Sequence, residues 1–394
     1  MPDAVPRRVP LAVVAGLFVA SVALRPQLLA IGPLLPLIRA DLDLPASIAG
    51  LITTIPVLCM GLFAPIGPRV AARLGPRRTL ALCLALIVAF GLARGSAPSI
   101  ALLLLATLGI GIGVGMAGAV PSMVVSQHLP RHRAMGTGAY AGGIVAGSAL
   151  AAAVAVPLAV DGDWRRSLVL VSAASLLPLV AWLVLVRADG SDRPVRARAL
   201  RLPWSSRTAW LLMVAFGLQS VLFYGIVAWL PNALVERGWT PAETGVLIAV
   251  FNGVGLLTTL GVPLVADRLG ARRTQLVIAA IVATGALVGI NTLPALTLGW
   301  MILLGLALGA IFPLVLTLPL DVADDPSQVG AVAALMLLGG YVISSVGPFA
   351  LGAARDVTGD FGASLWLLVV IAAGFLACCL PLSPARLRHG VRTP

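Results

Sequence analysis

Apolar segments of about 20 residues recur twelve times along the chain, at 11–37, 47–68, 78–95, 99–127, 133–159 and 166–186, then 208–234, 243–266, 274–292, 296–319, 329–351 and 362–381. Each is long enough to cross a hydrocarbon layer of about 30 Å as an α-helix. In lipid a chain must satisfy its backbone polar groups internally, so apolar runs of this length leave helices as the expected form. The mean hydropathy is +1.04, and 59% of the 394 residues are hydrophobic. A soluble chain could not cover that much apolar surface. The expected class is an all-α membrane protein with twelve transmembrane helices and the lipid bilayer as its surroundings.

A net charge of +12 would point a soluble chain toward nucleic acid, but here no nucleic-acid partner is expected. All 27 basic residues are arginines, and they gather in short connections between the apolar runs. With the N-terminus in the cytoplasm, twenty arginines lie inside and six outside. That bias orients membrane proteins, so both termini are expected on the cytoplasmic side of a bacterial inner membrane. The acidic patch Asp321 to Asp325 falls on the same side, but acidic residues count little in this rule. Arg7-Arg8 before Leu11 to Ala23 imitates a signal peptide. The segment has a partner in the second half of the chain, so it reads as a first span. Cys59, Cys83, Cys378 and Cys379 lie in apolar runs without metal-ligand spacing and read as packing residues.

The two halves echo each other. Val70-Ala-Ala-Arg-Leu-Gly-Pro-Arg-Arg-Thr79 matches Val265-Ala-Asp-Arg-Leu-Gly-Ala-Arg-Arg-Thr274 at eight of ten positions, an offset of 195 residues. The same offset carries Pro36 onto Pro231 and Gly50 onto Gly245. Two parallel six-helix repeats of this kind resemble the major facilitator superfamily, whose substrate site lies near midplane between the halves. The expected division is a six-helix bundle at 1–186, a cytoplasmic linker at 187–207 and a second bundle at 208–394. The second copy of the repeat resembles that superfamily's loop signature: Asp267, Arg268, Gly270, Arg272 and Arg273. The resemblance implies a conformational latch in which Asp267 meets a helix start in the other half, near Arg131 and Arg133. A carboxylate gains there from the helix dipole. The first copy has Ala72 where the acid belongs, and no latch is expected from it.

One residue stands apart from the apolar pattern. Arg25 lies near the middle of the first run, where an arginine costs roughly 2.5 to 3.5 kcal/mol on insertion scales. No other charged residue is expected so deep; Arg94 reads as an outer-loop residue. All fifteen acidic residues fall in loops, tails or span ends, and His128, His132 and His389 lie at the cytoplasmic side or in the tail. No carboxylate or imidazole is therefore expected in the interior as a proton relay. An isolated buried guanidinium calls for something electron-rich to complete it, and a small-molecule substrate is the natural candidate. The alternative is satisfaction by carbonyls freed around Pro26 and Pro33.

The repeat offset places Gln219 and Ser220 opposite Leu24 and Arg25, at one depth. Tyr224 follows Ser220 at i+4 on the same helix face. Asn252 lies midway along the eighth run, and Tyr341 lies within the eleventh. Arg25, Gln219, Ser220, Tyr224, Asn252 and Tyr341 form the expected substrate-binding set, with interhelical hydrogen bonds as the alternative for the last three. Tyr140, Thr53, Met116 and Phe312 read as core packing. The glycine-rich runs Gly109 to Gly118 and Gly138 to Gly147 follow no strand and read as close helix packing. No cofactor or metal is called for, and the protein is expected to act as a monomer.

Three clusters resemble one branch more closely: Leu24-Arg25-Pro26 with Gly32-Pro33-Leu34-Leu35, Gly217-Leu-Gln219-Ser220-Val-Leu-Phe-Tyr224 with Ala228-Trp-Leu-Pro231, and Gly340-Tyr341 with Gly347-Pro348. They resemble the cyanate porter family, which includes cyanate and 2-nitroimidazole transporters. The resemblance implies transport of a small anionic or nitro-bearing solute by alternating access, because a small anion and a planar nitro group both suit a forked guanidinium. The fifth run lacks the proline-bearing motif of drug exporters, and the second and eighth runs lack the arginines of nitrate porters. A multidrug exporter is the alternative within transport. A membrane receptor or enzyme fits less well, since no nucleophile–base pair, metal cluster or output domain stands out.

Overall fold

The structure, a computed structural model, describes residues 11–129, 132–186, 202–269, 272–322 and 326–382. Those residues form helices and short connections, with no strand among them. In the first half, α1 (Leu11–Val22), α2 (Pro26–Leu29) and α3 (Ile31–Leu42) make one interrupted span. The second span is α4 (Ala46–Leu62) with α5 (Ile66–Leu74), bent by 60° at Phe63 to Pro65. Then come α6 (Pro76–Gly95), α7 (Ile100–Ala117) with α8 (Val120–His128), α9 (Arg133–Ala155), and α10 (Trp164–Ala174) with α11 (Leu176–Leu185). In the second half every span is one helix: α12 (Arg207–Glu236), α13 (Pro241–Leu269), α14 (Arg272–Thr292), α15 (Thr297–Val322), α16 (Pro326–Thr358) and α17 (Gly362–Cys379). With the bent pair counted once, twelve helical spans are long and apolar enough to cross a membrane.

The interruptions were not expected from the apolar runs, and proline explains the first. Pro26 lacks an N–H and crowds the residue before it, so the helix stops after Val22 and restarts at Pro26, with Arg25 in between. The repeat partner of Pro26 is Val221, and α12 runs through that point unbroken. Elsewhere the ends carry ordinary caps. Ser99 accepts the Leu102 N–H ahead of α7, and Thr240 with Glu243 forms a reciprocal capping box at α13, at 2.8 and 3.3 Å.

An even number of spans puts the start of α1 and the end of α17 on one face; the opposite one is the distal face. Two apolar cores fill the molecule. The smaller belongs almost wholly to the first half, from Leu17 through Leu84 and Ile110 to Val186. The larger belongs to the second half but takes in Leu29 to Ile52, Ala151 to Ala159 and Leu168 of the first. On the distal side, then, the halves share one core. The backbones touch there too. Gly32 lies so close to the Val227 carbonyl that a Cβ would overlap it, and a Cβ on Gly50 would come 2.7 Å from the Pro348 carbonyl oxygen.

Polar contacts reinforce this seam. Asp356 of α16 accepts the backbone N–H groups of Ala46 and Ser47. Arg39 donates to Asn232 at 3.5 Å, and its guanidinium lies 5.9 Å from the Trp229 ring and 5.7 Å from that of Phe361. Within the second half, Trp229 is held beside the seam by donating to the Pro348 carbonyl at 2.6 Å.

One placement corrects the sequence reading. Arg94, expected in an outer loop, is wholly buried in the last turn of α6, so Arg25 is not the only interior arginine. Position along the chain gave the right end of the span; what it could not give was the fold of α10 over that end, where Gly95 lies against Val169 and Arg165.

Candidate functional site

Between the halves lies a cavity with room for the centre of a water-sized sphere over about 130 Å³. That is space for several waters or one small solute. Its wall comes from the first span, α9, α12, α13, α15 and α16. Arg25, Gln219, Ser220, Tyr224, Asn252 and Tyr341 all line it, so the structure brings the six expected residues together.

Arg25 enters from the break before α2, half-buried, as the N-cap whose carbonyl accepts the first N–H groups of that turn. Its Nη1 donates to the Tyr224 hydroxyl at 2.7 Å across the halves. That hydroxyl in turn points at the Met60 sulfur, 3.5 Å away. With its proton on sulfur and one lone pair on Arg25, Tyr224 offers the cavity its ring and no free donor. The Tyr341 hydroxyl also faces the guanidinium, and the Tyr341 ring meets Phe216 edge-on at 5.1 Å. Ser220 donates to the Gln219 side-chain carbonyl at 3.4 Å. Asn252 donates to the Ile248 carbonyl of its own helix at 2.9 Å.

None of the residues lining this cavity is Asp, Glu or His. The guanidinium therefore meets neutral oxygens only on its cavity side. A planar cation with several donors and no counter-charge will hold an anion or a pair of acceptor oxygens more strongly than it holds water.

Sequence reasoning missed much of the wall. Phe223 and Phe251 stand 6.0 Å apart, with Phe223 edge-on to Tyr224 at 5.3 Å. Phe312, read as core, lines the cavity, as do Ile144, Ser148 and Thr259. Their signal was weak because helices that are apolar on their outer face as well as on their packed one show no amphipathic stripe. Of the weaker candidates, Thr53 bonds its own helix at the Gly50 carbonyl, 2.9 Å away, and Met116 is buried.

The latch loop is partly described. Arg272 pairs with Asp321 at 2.8 Å, within the second half, which balances part of the acidic patch, and Arg273 is exposed. The side chains of Asp267 and Arg268, Gly270, and the expected target at Arg131 and Arg133 lie outside the described residues.

Residues 11–348 match the family model of the Major Facilitator Superfamily. The chain is 30% identical over 362 residues to the 2-nitroimidazole transporter of Escherichia coli (strain K12), covering 91% of this chain and 92% of that one. It is 29% identical over 366 residues to the cyanate transport protein CynX of the same organism, covering 92% and 95%. In fold it is similar to a bacterial homologue of the human lysosomal transporter Spinster, solved inward-facing and unoccupied, with a TM-score of 0.77 at 16% identity over 95% of this chain and 98% of that one.

Proposed function

The chain belongs to the major facilitator superfamily, and from that premise we propose that it carries a small anionic or nitro-bearing solute across the bacterial cytoplasmic membrane by alternating access. It is a transporter, not an enzyme. The observation that carries the substrate class is Arg25: a guanidinium in the cavity between the halves, bonded to a neutral hydroxyl, with no acidic residue on the cavity wall. The relatives that transport cyanate and 2-nitroimidazole support the same class. Aromatic faces from Phe223, Phe251 and Phe312 suit a flat solute.

In this reading the termini are cytoplasmic and the distal face is periplasmic, so the shared distal core makes the structure an inward-facing state. Asp267 would latch the cytoplasmic side in the opposite state. The membrane potential constrains direction: uptake of a bare anion is opposed by about 2.3 kcal/mol per 100 mV. Accumulation would need a co-transported cation or exchange for another anion, whereas export, or uptake of a neutral solute, would not.

The test is binding and flux. Purified protein should bind cyanate or 2-nitroimidazole, and reconstituted vesicles should exchange it, with both lost in Arg25→Ala. A multidrug exporter, the rival reading, would keep its affinity for lipophilic drugs in that variant and ignore both small solutes.

A further inference from the structure

The second interior arginine has a different task. Arg94 is wholly buried, and its Nη2 donates at 2.7 Å to both the backbone carbonyl and the side-chain carbonyl of Gln27. Gln27 passes the chain on: its Nε2 donates to the Ser172 hydroxyl at 2.9 Å, and that hydroxyl donates to the Leu168 carbonyl at 2.6 Å. Gln27 and Ser172 are fully buried as well. The cluster presses on Gly91, where a Cβ would come 2.6 Å from the Ser172 oxygen. Arg94 Nε and Nη1 have no partner among the described residues, so a full positive charge is held in the interior for the sake of two bonds.

Those bonds fall on one place. Gln27 is the second residue of α2, the four-residue turn that follows Arg25. The turn is set off from α1 by the break before Pro26 and from α3 by Ala30 alone, which keeps helical dihedrals, so side-chain contacts from α6 and α10 add to what the backbone fixes. Arg94 from α6 and Ser172 from α10 grip it from behind, on the side away from the cavity.

We infer that Arg94 is a positioning residue for the substrate cavity: through Gln27 it fixes the turn from which Arg25 reaches the solute. The inference rests on the reading of Arg25 as the group that holds the solute. A binding group loses effect when its support lets it shift by even a fraction of an ångström. A guanidinium suits this task because the two N–H groups of one nitrogen reach both Gln27 oxygens at once.

The test starts with a readout that needs no solute. With Cys59, Cys83, Cys378 and Cys379 replaced by alanine, Arg25→Cys reports its surroundings by its rate of reaction with a charged, water-soluble methanethiosulfonate. Adding Arg94→Met should change that rate by about tenfold, while Arg94→Lys, which keeps a donor for Gln27, should stay within about twofold. In the protein with Arg25 intact, Arg94→Met should raise the KM for 2-nitroimidazole or cyanate by about tenfold and leave turnover within about twofold. An unchanged thiol rate in folded Arg94→Met protein overturns the positioning role, whatever the solute. A shifted thiol rate in a protein whose flux ignores Arg25→Ala keeps the positioning role and discards the substrate reading. Should Arg94→Met fail to fold, Ser172→Ala loosens the same chain more gently and should move the thiol rate by about threefold; no change there overturns the inference equally.

Discussion

Asp356, near the end of α16, accepts the backbone N–H of Ala46, the first residue of α4 in the other half, at 2.8 Å. Its second oxygen takes the N–H of Ser47 at 2.7 Å. One side chain thus satisfies two of the donors that a helix start leaves open, and meets the positive end of the helix dipole. The sequence pointed to a carboxylate-on-helix contact at Asp267; the structure shows one on the distal face, between the two halves.

Removing that contact should loosen the distal seam. Asp356→Ala is expected to cost the closed arrangement about 1 to 2 kcal/mol, close to a tenfold shift toward distal-open forms. A cysteine at Ile52, buried in the shared core, should then react faster with an impermeant thiol reagent added from the distal side. An unaltered rate would exclude Asp356 from the seam.

Arg25 should not tolerate its nearest chemical substitute. Arg25→Lys keeps the charge but loses the fork, so solute affinity should fall by about 2 kcal/mol, or roughly thirtyfold. Tyr224→Phe removes the hydroxyl that orients Arg25 at 2.7 Å, and should cost about 1 kcal/mol, or roughly fivefold. Isothermal titration of both variants with 2-nitroimidazole checks the order. A lysine variant that binds as tightly as the parent would mean the cation acts by charge alone.

Glycine substitutions should sort by what surrounds them. Gly32→Ala forces a methyl group against the Val227 carbonyl of the other half, and should destabilise by about 1 to 3 kcal/mol. Gly285→Ala, inside α14 with nothing near the added carbon, should stabilise by about 0.5 to 1 kcal/mol. Thermal unfolding in detergent measures both. Equal melting temperatures would show that the seam gives way at no cost.

The frame was legible in the sequence because its signals are long and additive. Twelve apolar runs and the repeated Val70 and Val265 segments each average over many residues. Arg25 and Gln219 were legible for a simpler reason: a polar group in an apolar run stands out. Phe223, Phe251 and Phe312 were not, since an aromatic ring on a cavity wall and one in a core make the same sequence pattern. Arg94 was hidden by its place at a span end, where arginines ordinarily meet water. The break at Arg25 was half visible in Pro26, a residue that interior helices often bend around rather than stop at.

The apolar core that spans both halves on the distal side has a thermal consequence. Parting it would wet side chains such as Leu34, Ile52 and Leu230, and hydrating apolar surface raises the heat capacity. The half-cycle that parts this core should therefore have an activation enthalpy that rises with temperature, as steps that expose apolar area do. An activation enthalpy of solute exchange that falls on warming would assign the slow step to some other movement.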